Sequence, residues 1–423
     1  MAHYPNSTTA SVEVSRLFAW IVFVFAFGLL ISDYMSRQVL NAVFPLLKAE
    51  WAISDAQLGS LSGIVALMVA LLTVPLSLLA DRWGRVKSLT LMALLWSVAT
   101  VFCGLSQSYG QMFGARFLVG VGEAAYGSVG IALVLSVFPA SMRATIAGAF
   151  MAGGMFGSVL GMALGGAVAA MFGWRWAFAC MGIFGLVLAL LFPLVVRPKR
   201  VESSASAYAQ SKPSLRGLVN NRSVVCAYVG SGLQLFVAAA LMAWIPSFMN
   251  RYYGMGTDRA GLVAGVFVLL GGLGMLVCGM LSDRLCRNRP ERKIVLAIGI
   301  CLLCFLLLSV GFRLPAGQAQ LVLLAMGMFL VAGTSGPAGA MVANLTHPAI
   351  SGTAFATLTL VNNILGMAPG PFVTGVLADS LGLDQALAWV PVVGLVSAAA
   401  FLYARRTYLG DQARVHGSYS LDP

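Results

Sequence analysis

Residues 77–85 read Ser77-Leu78-Leu79-Ala80-Asp81-Arg82-Trp83-Gly84-Arg85, and residues 279–287 read Gly279-Met280-Leu281-Ser282-Asp283-Arg284-Leu285-Cys286-Arg287. Each segment ends an apolar run, turns on an Asp-Arg pair and finishes on a second arginine. Each stands between the second and third apolar runs of its own half of the chain, which marks an internal duplication. An Asp at such a helix end can face the N-terminal dipole of a neighbouring helix, while the arginines hold carbonyls and lipid headgroups. Read one by one, Arg82, Arg85 and Lys87 also serve simply as charges that orient a chain in a bilayer.

Outward from these loops, the chain divides into apolar runs long enough to cross a hydrocarbon core of about 30 Å as helices. The first half gives Leu17 to Phe44, Ala56 to Ala80, Val86 to Leu105, Gln111 to Phe138, Ala144 to Phe172 and Trp176 to Val196. The second gives Val224 to Phe248, Ala260 to Leu281, Ile294 to Phe312, Gln318 to Ala343, Gly352 to Leu377 and Gln385 to Tyr403. The polar stretch between them, with Arg197, Lys199, Arg200 and a serine-rich run at 203–206, reads as a linker. The expected organisation is an all-α membrane protein of twelve transmembrane helices in two pseudo-symmetric six-helix halves. Its parts are a tail at 1–16, a bundle at 17–196, a linker at 197–221, a bundle at 222–405 and a tail at 406–423.

Composition agrees: of 423 residues 59% are hydrophobic and only 9% charged, whereas soluble domains carry about 25% charged residues. The first apolar run is too long for a cleaved signal peptide, so it is expected to stay as a helix. The net charge of +12 would fit nucleic acid, but the charges lie in the wrong places. With both termini on one side, the loops of that side hold roughly 19 of the 26 Lys and Arg. The opposite loops hold roughly 5 (Lys48, Arg175, Arg251, Arg259 and Arg313). The excess is that of a membrane protein with basic cytoplasmic loops, and nucleic acid is not expected as a partner. The seven cysteines lie mostly in apolar runs without metal-site spacing, so no metal and no cofactor is expected. His3, His347 and His416 stand in tails or a loop, and no nucleophile-base, zinc or phosphate-cradling motif is present. No catalytic residue is therefore assigned, and an enzyme or an ATP-driven pump is not expected.

The duplicated loop resembles the G-x-L-x-D-R-x-G-R signature of the major facilitator superfamily. Ser77 stands for its first Gly in one copy and Cys286 for its second Gly in the other. Arg116-Phe117-Leu118-Val119-Gly120-Val121-Gly122-Glu123-Ala124, Phe138-Pro139, Arg143-Ala144 and Gly173-Trp174-Arg175-Trp176-Ala177-Phe178 extend the likeness. With Arg37-Gln38 and Ser54-Asp55-Ala56-Gln57-Leu58-Gly59, the chain is similar to bacterial spinster-like members. The resemblance implies alternating access by rocking of the two halves. It further implies a bacterial inner (cytoplasmic) membrane with both termini cytoplasmic, a monomer among membrane lipids, and a gate cluster of Asp81, Arg82, Arg85, Arg143, Asp283 and Arg284 that stabilises one face of the cycle. The likeness departs at Ser36, where such members carry an acid directly before the first-helix arginine; the nearest carboxylate here is Asp33.

An ionisable side chain at a helix centre costs about 2.5–3.5 kcal/mol on insertion scales, so it persists where it meets a partner or a wet cavity. Four such residues occur: Asp33 and Arg37, four apart on one face of the first helix, and Arg116 and Glu123, seven apart on one face of the fourth. In the family resembled, both helices line the central cavity. One reading makes Glu123 the main proton carrier and Asp33 the second, with Arg37 or Arg116 binding a substrate carboxylate or phosphate through a planar fork. The other makes them two ion pairs that fix helix packing.

The second half holds no charged residue inside its runs. Its neutral candidates for substrate contact are Gln234, Trp244, Asn362 and Asn363, with Thr334, Ser335, Asn344, Phe236 and Phe355 as further polar or apolar wall; each reads equally as a helix contact. Glycines 148, 153, 154, 157, 161, 165 and 166 make the fifth helix a close-packing one. Pro369 and Pro371, following Asn362-Asn363, are expected to bend the eleventh.

The expected function is proton-coupled transport of an organic anion or lysolipid-like amphiphile by a secondary carrier. The alternatives are a multidrug/proton exporter, a uniporter of a small metabolite, and a sensor that keeps the carrier fold. Gly161-Met162-Ala163-Leu164-Gly165-Gly166 resembles the G-P-x-x-G-G signature of drug/proton antiporters but has Met162 in place of Pro.

Overall fold

The structure, a computed structural model, describes residues 15–196, 221–286, 291–346 and 350–419. The expected linker apart from Asn221, most of the N-terminal tail, residues 420–423, Arg287, His3 and His347 lie outside the described residues. Twelve helices among the described residues are long and apolar enough to cross a membrane. They are α1 (Arg16–Trp51), α2 (Asp55–Trp83), α3 (Arg85–Leu105), α4 (Tyr109–Val137), α5 (Thr145–Phe172) and α6 (Trp174–Val195), then α7 (Arg222–Tyr253), α8 (Thr257–Leu285), α9 (Arg292–Gly311), α10 (Gln318–Leu345), α11 (Gly352–Leu381) and α12 (Leu383–Arg414). Large apolar side chains such as Leu71, Leu190, Leu194, Leu276, Leu306 and Val322 stand exposed on the outside, as a lipid-facing surface requires.

The duplication is visible in the irregularities as well as in the helices. α4 stops at Glu123 and resumes at Tyr126, and α10 stops at Val331 and resumes at Ser335. The α5–α6 and α11–α12 turns each rest on a glycine with positive φ, Gly173 at 90° and Gly382 at 88°, a conformation costly for any residue with a Cβ. The two copies of the Asp-Arg loop differ on this point. Gly84 has φ 95°, whereas Cys286 has φ −108°, so the second copy has no need of glycine there. Ser77, in the place of the other signature glycine, hydrogen-bonds Ser128 of α4 at 2.8 Å and ties α2 to it.

The two halves meet along α5 against α8 and α2 against α11, with α1 against α7. The α2–α11 contact is backbone-close: a Cβ on Gly59 would collide with the Pro371 carbonyl, and one on Gly63 with that of Ala368. Polar contacts between the halves gather at the end of the bundle opposite the chain termini, called the far end below. There Asp55 meets Arg251, and Asp379 accepts from the Asp55 and Ala56 amides.

One expectation, the tail from 406, is corrected. The chain does not leave the bundle at 406, because the last helix continues to Tyr419 and stays packed through Asp411. Tyr408 is buried, and the Asp411 carboxylate accepts from the Ser223 amide at 3.0 Å and its hydroxyl at 2.8 Å, capping the first turn of α7. In α11 the departure from regular helix is a π-helical stretch, Asn362–Met367, lying before Pro369. Prolines 369 and 371 lack the N–H that would bond four residues back. The helix widens ahead of them, and the Ala368 amide reaches the Asn363 carbonyl five residues back at 2.9 Å.

Candidate functional site

Within α1, residues 33, 37 and 41 recur on one face at the helical period, and that face points between the halves. Arg37 is the centre of the site. Its Nε lies 2.9 Å from Asp33 Oδ1 and 2.7 Å from Glu123 Oε2. The first contact is a hydrogen bond; the second is an ion pair off the N–H axis, since Glu123 Oε2 has no hydrogen-bond partner. Glu123 Oε1 accepts from the Ser36 hydroxyl at 2.7 Å. Asp33 and Glu123 are both 2% exposed, and the Arg37 guanidinium stacks on Tyr34 at 5.2 Å. Ser36, where the resembled members carry an acid, thus serves as a hydroxyl donor to Glu123, and Asp33 one turn earlier supplies the second carboxylate.

Glu123 owes its position to the break in α4. The helix unwinds just after it, and the freed Ala124 carbonyl is taken up by Thr73 Oγ1 of α2 at 2.6 Å. α7 meets the corresponding break in α10 without charge: Gln234 Nε2 donates to the carbonyl of Val331, the residue that ends the first segment, at 3.3 Å. The two halves therefore fasten the same joint, one with an arginine and two carboxylates, the other with a single neutral amide.

The reading of two separate ion pairs is corrected: Arg37 takes both carboxylates, and Arg116 makes no ion pair among the described residues. Arg116 is 1% exposed and is spent on backbone, with Nη1 on the Ser36 carbonyl at 2.9 Å and Nε on the Leu61 carbonyl at 3.3 Å. It fixes α1, α2 and α4 together and brings its positive charge beside the Arg37 cluster.

A cavity of about 50 Å³ opens at this point, lined from the first half by Arg37, Gln38, Asn41, Ser62 and Arg116, and from the second by Ala239, Met242, Ala243, Met367 and Pro371. Gln38, Asn41 and Ser62 were not assigned to the site from the sequence, although the i, i+4 relation of Arg37 to Asn41 places that amide on the same face. Gln234, Trp244, Asn362 and Asn363 do not line this cavity. Gln234 holds the α10 joint, and Asn363 bonds its own helix at the Thr359 carbonyl.

Trp244 is fully buried, donates Nε1 to the Pro371 carbonyl at 2.9 Å and packs on Phe44 of the other half at 5.2 Å. It is a bolt beneath the cavity. Trp244→Phe keeps an aromatic side chain but removes this hydrogen bond between α7 and α11, so it is expected to cost about 0.5–1.5 kcal/mol and to leave ligand affinity nearly unchanged. Thermal melts with and without a stabilising ligand check both parts.

The gate cluster is disengaged. Asp81, Arg82, Arg143 and Arg284 are exposed, Asp283 pairs with Lys293 in its own half at 2.8 Å, and Arg85 donates to the Ala132 carbonyl at 3.4 Å. The polar contacts that join the halves lie at the far end, among residues not assigned to a site from the sequence. Asp55, 2% exposed, receives Lys48 Nζ at 2.7 Å and both Nη groups of Arg251 at 2.8 and 2.6 Å. The Asp379 carboxylate of the opposite half accepts from the first two amides of α2 at 2.7 and 2.9 Å. Nearby, Glu50 accepts from Trp174 Nε1 and Arg175 at 2.6 and 2.7 Å, so the Gly173-Trp174-Arg175 motif fastens α1 to α6.

The sequence profile of the Major Facilitator Superfamily matches residues 26–371. The chain belongs to the major facilitator superfamily. Among relatives in this superfamily, the probable L-galactonate transporter of Escherichia coli (strain K12) is 25% identical over 95% of this chain and 92% of its own. An MFS-type efflux pump of Mycolicibacterium smegmatis is 28% identical over 90% of this chain and 91% of its own. In fold, the chain is similar to a bacterial homologue of the human lysosomal transporter Spinster solved in an inward-facing and occupied conformation, with TM-score 0.83 at 21% identity, over 94% of this chain and 99% of that one. The chain is an integral membrane protein of transporter type, with a major facilitator fold and no kinship to an enzyme family among these relatives.

Proposed function

We propose that this chain is a proton-coupled secondary carrier of a small organic anion, working by alternating access in a bacterial inner membrane with both termini cytoplasmic. The observation that carries the reading is Arg37, whose Nε is held between two buried carboxylates while its side chain borders the cavity between the halves. Neither Nη group makes a hydrogen bond to protein among the described residues, which leaves the planar fork for an incoming carboxylate or phosphate. Proton coupling follows from charge. Asp33 and Glu123 against Arg37 and Arg116 sum to zero, so a bound monoanion leaves one negative charge in excess where burial penalises it. Uptake of one proton on Glu123, or on Asp33 as second site, restores neutrality. The L-galactonate relative supports an anionic substrate.

Export of amphiphilic compounds is the second reading. It draws on the apolar wall of Ala239, Met242 and Met367 and on the mycobacterial efflux pump. A cationic drug would face Arg37 and Arg116, so the charge of the ligands that raise the melting temperature separates the two readings.

The test is uptake of organic anions and lysolipids into proteoliposomes with and without an inward proton gradient, comparing wild type with Glu123→Gln. Wild type is expected to accumulate an anion only with the gradient, and the variant to keep exchange but lose accumulation. Gradient-independent transport by both proteins overturns proton coupling; ligands that are all cationic overturn the anion reading.

A further inference from the structure

Three neutral side chains extend the site away from Arg37. The Ser62 hydroxyl donates to Asn41 Oδ1 at 2.6 Å, and Asn41 Nδ2 donates to Gln38 Oε1 at 2.8 Å. The hydrogen bonds therefore run in one direction, from α2 to α1 and then along α1 toward Arg37. Asn41 is 5% exposed and Gln38 7%, so both amides are withdrawn from bulk water. A ladder that served only to hold α1 against α2 would end on a protein acceptor. This one does not: among the described residues Gln38 Nε2 has no acceptor, and Gln38 borders the cavity beside Arg37. Arg116, which borders the same cavity, uses Nε and Nη1 on carbonyls and leaves Nη2 without an acceptor among the described residues.

The polar wall of the cavity thus offers donors side by side, from a guanidinium fork and from an amide one residue along the helix. The facing wall of Ala239, Met242, Ala243, Met367 and Pro371 offers no side-chain donor or acceptor. A ligand that satisfies such a wall carries acceptor oxygens on adjacent atoms along one edge. A plain alkyl carboxylate has acceptors only at its terminus and would bury the Gln38 amide unpaired, at the cost that a missing hydrogen-bond partner imposes.

Resting on the anion reading above, we infer that Gln38, Asn41 and Ser62 set specificity for hydroxylated monocarboxylates, with the carboxylate on Arg37 and the neighbouring hydroxyl oxygen accepting from Gln38. Asn41 and Ser62 are positioning residues: they orient the Gln38 amide so that its nitrogen, and not its oxygen, faces the ligand.

The experiment measures half-saturating concentrations in proteoliposome counterflow for three straight-chain six-carbon acids: hydroxylated at C2 to C6, the same acid without hydroxyls at C2 and C3, and hexanoate. Wild type, Gln38→Met, Asn41→Leu and Ser62→Ala are compared. The ratio of hydroxylated to deoxy acid is the readout, because a loss of folded protein lowers total activity without moving it. Wild type is expected to favour the hydroxylated acid at least tenfold. Gln38→Met is expected to bring the ratio near one, and Asn41→Leu and Ser62→Ala to lower it by smaller factors. Equal use of hexanoate and the hydroxylated acid by wild type, or an unchanged ratio in Gln38→Met, overturns the inference and leaves the anion carrier standing. If none of the three acids is recognised while lysolipids or other anions are, the inference falls alone; if only cations are recognised, the anion reading falls with it.

Discussion

Arg37→Gln is expected to abolish transport and to cost about 3–5 kcal/mol of stability, the range for removing one partner of a buried ion pair. Two carboxylates, each 2% exposed, share this single guanidinium nitrogen, and Arg116 cannot replace it because its Nη1 and Nε are held by the Ser36 and Leu61 carbonyls, which fix the guanidinium in place. The loss of stability and the loss of transport have different causes and can be separated. Adding Asp33→Asn and Glu123→Gln to Arg37→Gln removes the uncompensated charges, so the melting temperature should recover most of its fall while transport stays absent. Arg37→Lys should retain more stability than Arg37→Gln but transport at least tenfold more slowly, because one ammonium cannot face both carboxylates and also present a fork to the cavity. Melts and counterflow on the four proteins decide the matter. Near-wild-type transport by Arg37→Gln would remove Arg37 from the binding site, and failure of the triple variant to recover stability would mean that the guanidinium acts through packing on Tyr34.

The fold was legible because its physics is local. A run of apolar residues of membrane-spanning length has few alternatives to a helix, and a duplicated Asp-Arg loop announces the second half. The four intramembrane charges were legible for a related reason, since their cost in lipid demands an explanation wherever they occur. How they pair was not legible. Arg116 and Glu123 share a face by spacing, yet the carboxylate pairs with Arg37 of α1 and Arg116 goes to backbone carbonyls of α1 and α2. The break after Glu123 depends on Thr73 of another helix taking up the Ala124 carbonyl, and nothing in the residues around 123 declares it.

Neutral polar residues were the least legible, because an amide in a membrane helix costs little and occurs for many reasons. Asn362 and Asn363 drew attention as a pair but lie in a π-helical stretch outside the cavity lining, whereas Gln38 and Asn41, spaced by three residues within an ordinary helix, border it. Trp244 drew attention as an aromatic wall and proves to be a fully buried bolt. In each case the deciding fact is which other helix lies opposite, and that is set by the crossing of the two halves.

The far-end barrier leads to the second large effect. Asp55→Ala combined with Asp379→Ala is expected to shift the protein toward a state open at the far end. The substitutions remove the Arg251 fork across the halves and the carboxylate cap on the first two amides of α2, while the backbone approach of Gly59 to Pro371 remains to re-form the closed state. Hydrogen bonds to charged groups contribute about 1.5–3 kcal/mol each, and every 1.4 kcal/mol changes a two-state ratio about tenfold, so losing the two contacts should move the ratio by at least about a hundredfold. Spin labels at Gln107 and Gln318, exposed positions at the far end on opposite halves, would report the change as growth of a longer-distance population, in a background with the exposed Cys180 replaced by Ser. Lys48 and Arg251 are left without their carboxylate, and their mutual repulsion acts in the same direction. If the distance distribution does not move, the helix contacts of α2 with α11 and α5 with α8 hold the barrier unaided. Asp55 and Asp379 would then set only the local geometry of the α2 N-terminus, with no share in the alternation.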